Sequence, residues 1–250
     1  MVATLSDTVI AAFITVLANG IGGLPFLFVR DFPVNVARLS WALSGGLMLS
    51  ASVFNLIMPG VADGGFSPVA IGIFLGAGAM ALVSWQLDGH DLVLEGLTEK
   101  GSRRIMMVLI TLFIHSFPEG LAIGVAYGSG EAKLGLVIAV AIAIHNIPEG
   151  LAVALPMRAE GVSPWKCIGW ALFSGVPQVI AAVPAYLAVV TFRPVLPYAF
   201  GLAAGAMIFL VLSEMIPESR ANEMQRLSSA LAGMAGFLIM MVLQNILVVV

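Results

Sequence analysis

The chain predicts an all-α integral membrane protein with eight transmembrane helices, and three observations carry that prediction. Hydrophobic residues make up 60% of the sequence and charged residues only 10%, where a soluble domain holds about 25% charged. The mean hydropathy is +1.05. The 250 residues divide into apolar runs, each of the roughly 20 residues that carry a helix across ~30 Å of hydrocarbon at ~1.5 Å per residue.

In chain order the runs are Ser6 to Phe28, Leu39 to Gly60, Pro68 to Leu87, Ile105 to Gly128, Leu134 to Met157, Cys167 to Thr191, Leu196 to Pro217 and Ala230 to Val250. The first has no basic stretch ahead of it and carries Asp7 near its start, so it reads as a retained helix and not as a cleaved signal. The longest connection, Asp88 to Arg104, mixes Asp88, His90, Asp91 and Glu95 with a basic stretch from Lys100 to Arg104. The other connections are short, so residues 1–250 form a single transmembrane domain. Cys167 is the one cysteine, which rules out a disulfide within the chain and a thiolate cluster.

Basic residues set the orientation. With the N-terminus outside, the inner connections hold Arg30, Arg38, Lys100, Arg103, Arg104, Arg158, Lys166, Arg220 and Arg226, and the outer ones only Lys133 and Arg193. By the positive-inside rule both termini lie outside, which requires an even number of spans. The basic residues are spread along the membrane-facing loops, and the expected partner is the lipid bilayer, with no nucleic acid.

Two spans share a pattern. Gly46-Leu47-Met48 leads to Asn55-Leu56-Ile57-Met58-Pro59 in the second, and Gly205-Ala206-Met207 leads to Glu214-Met215-Ile216-Pro217 in the seventh. The two run in opposite directions, as an inverted-topology repeat requires. Gly72 and Gly76, like Gly201 and Gly205, have the four-residue spacing that lets helices approach closely. They are read as packing devices.

The fourth and fifth spans carry the chemistry. Each holds one copy of His-x-x-Pro-Glu-Gly-Leu-Ala, starting at His115 and at His145, thirty residues apart. A His and a Glu four apart share a helix face, and both lie roughly 15 Å into their helices by the helical rise. Ionisable groups at that depth are costly and need a reason. Joined by a short connection, the two antiparallel helices bring His115, Glu119, His145 and Glu149 together. Two imidazoles and two carboxylates suit a divalent first-row ion. Pro118 and Pro148 remove backbone donors beside these ligands, which predicts loosened helices at the site, and Gly120 and Gly150 add close approach.

These two motifs, the eight spans and the outside termini resemble the ZIP family of divalent metal transporters, in particular its short prokaryotic-type branch. The resemblance covers nearly the whole chain. It implies uptake of a divalent metal into the cytoplasm, with Zn2+ first and Cd2+, Fe2+, Mn2+ or Co2+ as further substrates. It also implies a plasma or inner membrane location, a homodimer, and a 3+2+3 arrangement in which helices one to three and six to eight are inverted repeats around helices four and five. By motif position a second metal site would use Ser116, Asn146 and a residue of the sixth helix beside the shared Glu119 and Glu149. Here the sixth helix offers Gln178 where the family often has Glu, and Ser116 stands where Asn is frequent, so one tightly held ion is expected.

Other polar residues lie along the expected path. Glu214 near the inner end of the seventh helix marks an exit, and Asn55, Met58 and Asp63 at the outer end of the second mark an entrance. No Walker A pattern is present, so flux follows the metal gradient, and histidine protonation weakens binding in mild acid. Two rival readings remain at this stage. One is an intramembrane zinc-dependent hydrolase, which the absence of His-Glu-x-x-His disfavours. The other is a proton or anion carrier working through a His/Glu relay.

Overall fold

A computed structural model describes residues 3–29, 33–87, 99–218 and 223–249. The described backbone is helical almost throughout: α1 Leu5–Gly23, α2 Val34–Ala51, α3 Met58–Gly64, α4 Phe66–Leu87, α5 Glu99–Gly128, α6 Ala132–Ala159, α7 Pro164–Thr191, α8 Leu196–Leu210, α9 Ile216–Glu218 and α10 Glu223–Val249. Seven stretches among the described residues are long and apolar enough to cross a membrane. The 30-residue α5 is the eighth long helix. It begins at Glu99, so Lys100 to Arg104, expected in a loop, extend a helix instead. Residues 88–98, with His90 and its acidic neighbours, lie outside the described residues.

Local chemistry explains the boundaries. Thr4 caps α1: its hydroxyl accepts from the Asp7 amide at 3.2 Å while the Asp7 carboxylate accepts from the Thr4 amide at 2.9 Å, a reciprocal box that occupies otherwise orphaned donors. The second span does not stop at Gly60. It runs to Gly64, and the chain turns at Gly65, whose φ of 82° favours glycine. Gly130, with φ 88°, makes the turn between α5 and α6.

Two departures from α geometry stand at corresponding places. Ser52–Ile57 and Val211–Met215 are π-helical, joining α2 to α3 and α8 to α9. Each lies just before a proline, Pro59 or Pro217, which lacks the N–H that an α-helical carbonyl would need. The widened turns shift bonding by one residue, so the Met58 amide reaches the Val53 carbonyl and the Ile216 amide reaches that of Val211. α5 and α6 run as continuous helix through Pro118 and Pro148, each of which lacks the N–H that the carbonyl four residues earlier would take.

The helices sort into two groups. One comprises α1, α5, α6 and α7; the other pairs α4 with α8 and α2 with α10; α2 also packs on α6 and α5 on α8. The four spaced glycines lie where α4 crosses α8: a Cβ on Gly72, Gly76, Gly201 or Gly205 would strike backbone of the opposite helix. Their role is close packing. Lipid-facing side chains such as Phe13, Phe74, Trp85, Ile180 and Ile239 are exposed, as the outer surface of a membrane protein requires.

Candidate metal centre

Glycines bring the polar side chains together. Gly120 follows Glu119 on α5, and a Cβ there would overlap the Gln178 carbonyl of α7. Gly150 follows Glu149 on α6 and meets the Asn19 carbonyl of α1 in the same way, while Gly22 of α1 meets Ile147 of α6. Each motif helix thus crosses a neighbour at backbone contact beside its own carboxylate. The crossings place side chains of α1 and α7 in the centre.

At the centre, ligand atoms of Glu119, His145 and Glu149 all lie within 4.8 Å of one another, and all three residues are buried. Nε2 of His145 is 3.1 Å from Oε1 of Glu119, across two helices. Oε1 of Glu149 has no hydrogen-bond partner among the described residues. Two carboxylates held together away from water repel each other unless a proton or a cation is shared between them. A divalent cation fits that donor set in number, type and charge.

His115 is fully buried on the same face of α5 one turn before Glu119, with its ring edge-on to Trp41 at 6.4 Å between centroids. It stands outside the compact group of three. Ser116 and Asn146 are also buried. Gln178 is placed differently from a ligand: its Nε2 donates to Oε2 of Glu119 at 2.5 Å. Its Oε1 takes a hydrogen bond from the Thr15 hydroxyl at 2.5 Å and one from Nδ2 of Asn146 at 3.3 Å. The same Nδ2 also donates to the Thr15 carbonyl at 2.9 Å.

Three contacts were missed from the sequence. Thr15 reaches the centre from α1, Ser44 of α2 donates to the His145 carbonyl at 3.1 Å, and Trp41 covers His115. A signal for Thr15 existed. Thr15 and Asn19 stand to Ser174 and Gln178, and Pro25 to Pro184, at the same offset along the chain as Gly46 to Gly205 and Asn55 to Glu214. The repeat pattern therefore extends into the first and sixth spans.

The expected path residues are more scattered. Asn55 is buried within its π segment and Met58 is exposed. Asp63 pairs with Arg193 at 3.3 Å, the two side chains 35% and 55% exposed, and Arg193 also donates to the Ser129 carbonyl. Three connections on one face are thereby tied together. The side chain of Glu214 lies outside those described. Cys167 is buried in the first turn of α7, where packing was expected.

A bundle of membrane-length helices enclosing a buried cluster of carboxylates and imidazole defines a polytopic membrane protein whose interior cluster fits an intramembrane metal site. Sequence comparison agrees: the family profile described as "ZIP Zinc transporter" matches residues 95–244. The zinc transporter GufA of Myxococcus xanthus is 32% identical over 247 residues, covering 94% of this chain and 96% of that protein. The zinc transporter ZIPB of Bordetella bronchiseptica is 35% identical over 247 residues, 92% of this chain and 78% of that protein. A putative zinc transporter of Arabidopsis thaliana is 34% identical over 205 residues; these cover 81% of this chain but 33% of that longer protein. The chain belongs to the ZIP family.

Proposed function

We propose that this protein moves divalent transition-metal cations across the membrane into the cytoplasm, zinc first, with Cd2+, Fe2+, Mn2+ and Co2+ as further substrates. The observation that carries this reading is the buried group of Glu119, His145 and Glu149 within 4.8 Å. Family membership and the names of the Myxococcus and Bordetella relatives support zinc. In this reading the protein is a carrier and not an enzyme.

A partly dehydrated ion enters between α5 and α6, exchanges water for the two carboxylates and the imidazole, and takes His115 as a further ligand. The ion's charge offsets the two carboxylates in the dry interior, which makes a costly site stable only when loaded. Ser116, Asn146 and Gln178 line a second position with neutral groups, so one ion is held tightly. Residues 1–250 act as one transport domain with both termini outside, in a plasma or inner membrane, as a homodimer. Helices one to three and six to eight are inverted repeats around α5 and α6, a reading that the paired π segments support. Asn55, Met58 and Asp63 lie toward the outer entrance and Glu214 toward the inner exit.

Zinc uptake into liposomes tests the function. The wild type is expected to load the vesicles down the zinc gradient, and a Glu119→Ala, Glu149→Ala variant is expected to lose that flux. No flux with the wild type overturns the proposal.

A further inference from the structure

We propose that Thr15, on α1, is a positioning residue for the metal centre, acting through Gln178 to hold Glu119 in its ligating orientation. This rests on the reading of Glu119 as a metal ligand given above. The geometry leaves the Gln178 amide one orientation. Its Oε1 lies 2.5 Å from the Thr15 hydroxyl and 3.3 Å from Nδ2 of Asn146. Two oxygens at 2.5 Å need a proton between them, and Gln178 Oε1 has none, so Thr15 donates. The same hydroxyl also donates toward the Ala12 carbonyl of its own helix at 2.7 Å, so its single hydrogen is shared between two acceptors.

Reversing the amide would set Gln178 Nε2 against the Asn146 Nδ2 donor and Oε1 against Oε2 of Glu119, pairing donor with donor and acceptor with acceptor. With its oxygen engaged by Thr15 and Asn146, Gln178 must present its NH2 to Glu119, where it donates at 2.5 Å. That bond occupies Oε2 of Glu119 and leaves Oε1 facing His145 at 3.1 Å. Glu119 is therefore held with Oε1 toward His145 and Oε2 tied to Gln178. All of Thr15, Asn146, Gln178 and Glu119 are buried, so water does not compete for these contacts. Thr15 is also pinned as an acceptor, since its carbonyl receives the second hydrogen of Asn146 at 2.9 Å. One residue of α1 thus orders the amides of α6 and α7 that surround the carboxylate of α5. This is the outer-shell arrangement that fixes the direction and basicity of metal ligands elsewhere.

The test is zinc affinity of the purified full-length protein by competition with a chromophoric chelator. Thr15→Val removes the hydroxyl at nearly constant volume and is expected to weaken zinc binding by about 10- to 100-fold, the cost of losing an outer-shell partner. Thr15→Ser keeps the hydroxyl and is expected to bind as the wild type does, which a merely space-filling role for Thr15 does not require. If Thr15→Val does not fold, Thr15→Ala removes the same hydroxyl and carries the same expectation. Affinity in the folded hydroxyl-free variant equal to wild type overturns the role of Thr15 while leaving the site intact. A wild type that binds no zinc, or a Glu119→Ala variant that binds as tightly as wild type, overturns the site reading and this role with it.

Discussion

Nε2 of His145 and Oε1 of Glu119 face each other at 3.1 Å across α6 and α5, one member from each motif. The two motifs are therefore halves of one centre. Neither helix alone supplies the geometry: His145 meets the Glu119 carboxylate of the neighbouring helix, and its own i+4 partner Glu149 joins the same group within 4.8 Å.

That burial makes the site a cost to the empty fold. Replacing Glu149 by Gln removes a carboxylate whose Oε1 has no partner among the described residues, so the metal-free protein is expected to melt at a higher temperature than wild type. The same variant should lose the rise in melting temperature that zinc produces, since stabilisation by a ligand requires binding to the native state. Paired thermal melts with chelator and with zinc check both effects.

In the proposed reading, neutral groups around the second position set the stoichiometry. The wild type is expected to hold one tight zinc per chain, counted by mass spectrometry of metals after gel filtration. Gln178→Glu exchanges the amide donor for a carboxylate and is expected to raise the count toward two. Two equally tight ions in the wild type would contradict the assignment of Gln178 as a hydrogen-bond donor to Glu119.

Acid should unload the site. An imidazolium has no lone pair for a metal, so binding needs neutral His145, and uptake is expected to fall as the medium drops below the ordinary histidine range of roughly pH 6.5. The direction is loss with falling pH and recovery on return to neutrality. Initial rates in liposomes between neutral and mildly acidic buffer measure it, and rates unchanged to pH ~5 would count against histidine ligation.

The crossings beside the carboxylates tolerate no side chain. A Cβ on Gly150 would overlap the Asn19 carbonyl, and one on Gly120 that of Gln178. Gly150→Val and Gly120→Val are each expected to cost more than about 3 kcal/mol, as overpacking against backbone does when neither helix can yield. Gly78→Val, where nothing lies within 4 Å, is the control and should express and migrate as wild type. Detergent-solubilised yield and monodispersity compare the three.

Much of this was legible beforehand, for physical reasons. Membrane thickness imposes a minimum apolar length, so the spans could be read from hydropathy, and i,i+4 geometry placed each His beside its Glu. The glycines at Gly72, Gly76, Gly201 and Gly205 mark helix contacts in the sequence because only a missing side chain permits them. Thr15 was legible only through its repeat counterpart Ser174, since a lone hydroxyl on an apolar helix normally bonds its own backbone, as Thr15 also does with Ala12. The π segments were not legible, because a proline removes a donor without dictating whether the helix breaks, continues or widens. Pro118 and Pro148 continue; Pro59 and Pro217 follow widened turns.

The central claim is that one transported ion rests on Glu119, His145 and Glu149. A zinc-edge anomalous difference map of zinc-loaded crystals tests it most directly. The account predicts one dominant peak at zinc-ligand distances of about 2.0–2.2 Å from Oε1 of Glu119, Nε2 of His145 and the Glu149 carboxylate. A dominant peak elsewhere, or none at these residues in protein that transports zinc, would contradict it.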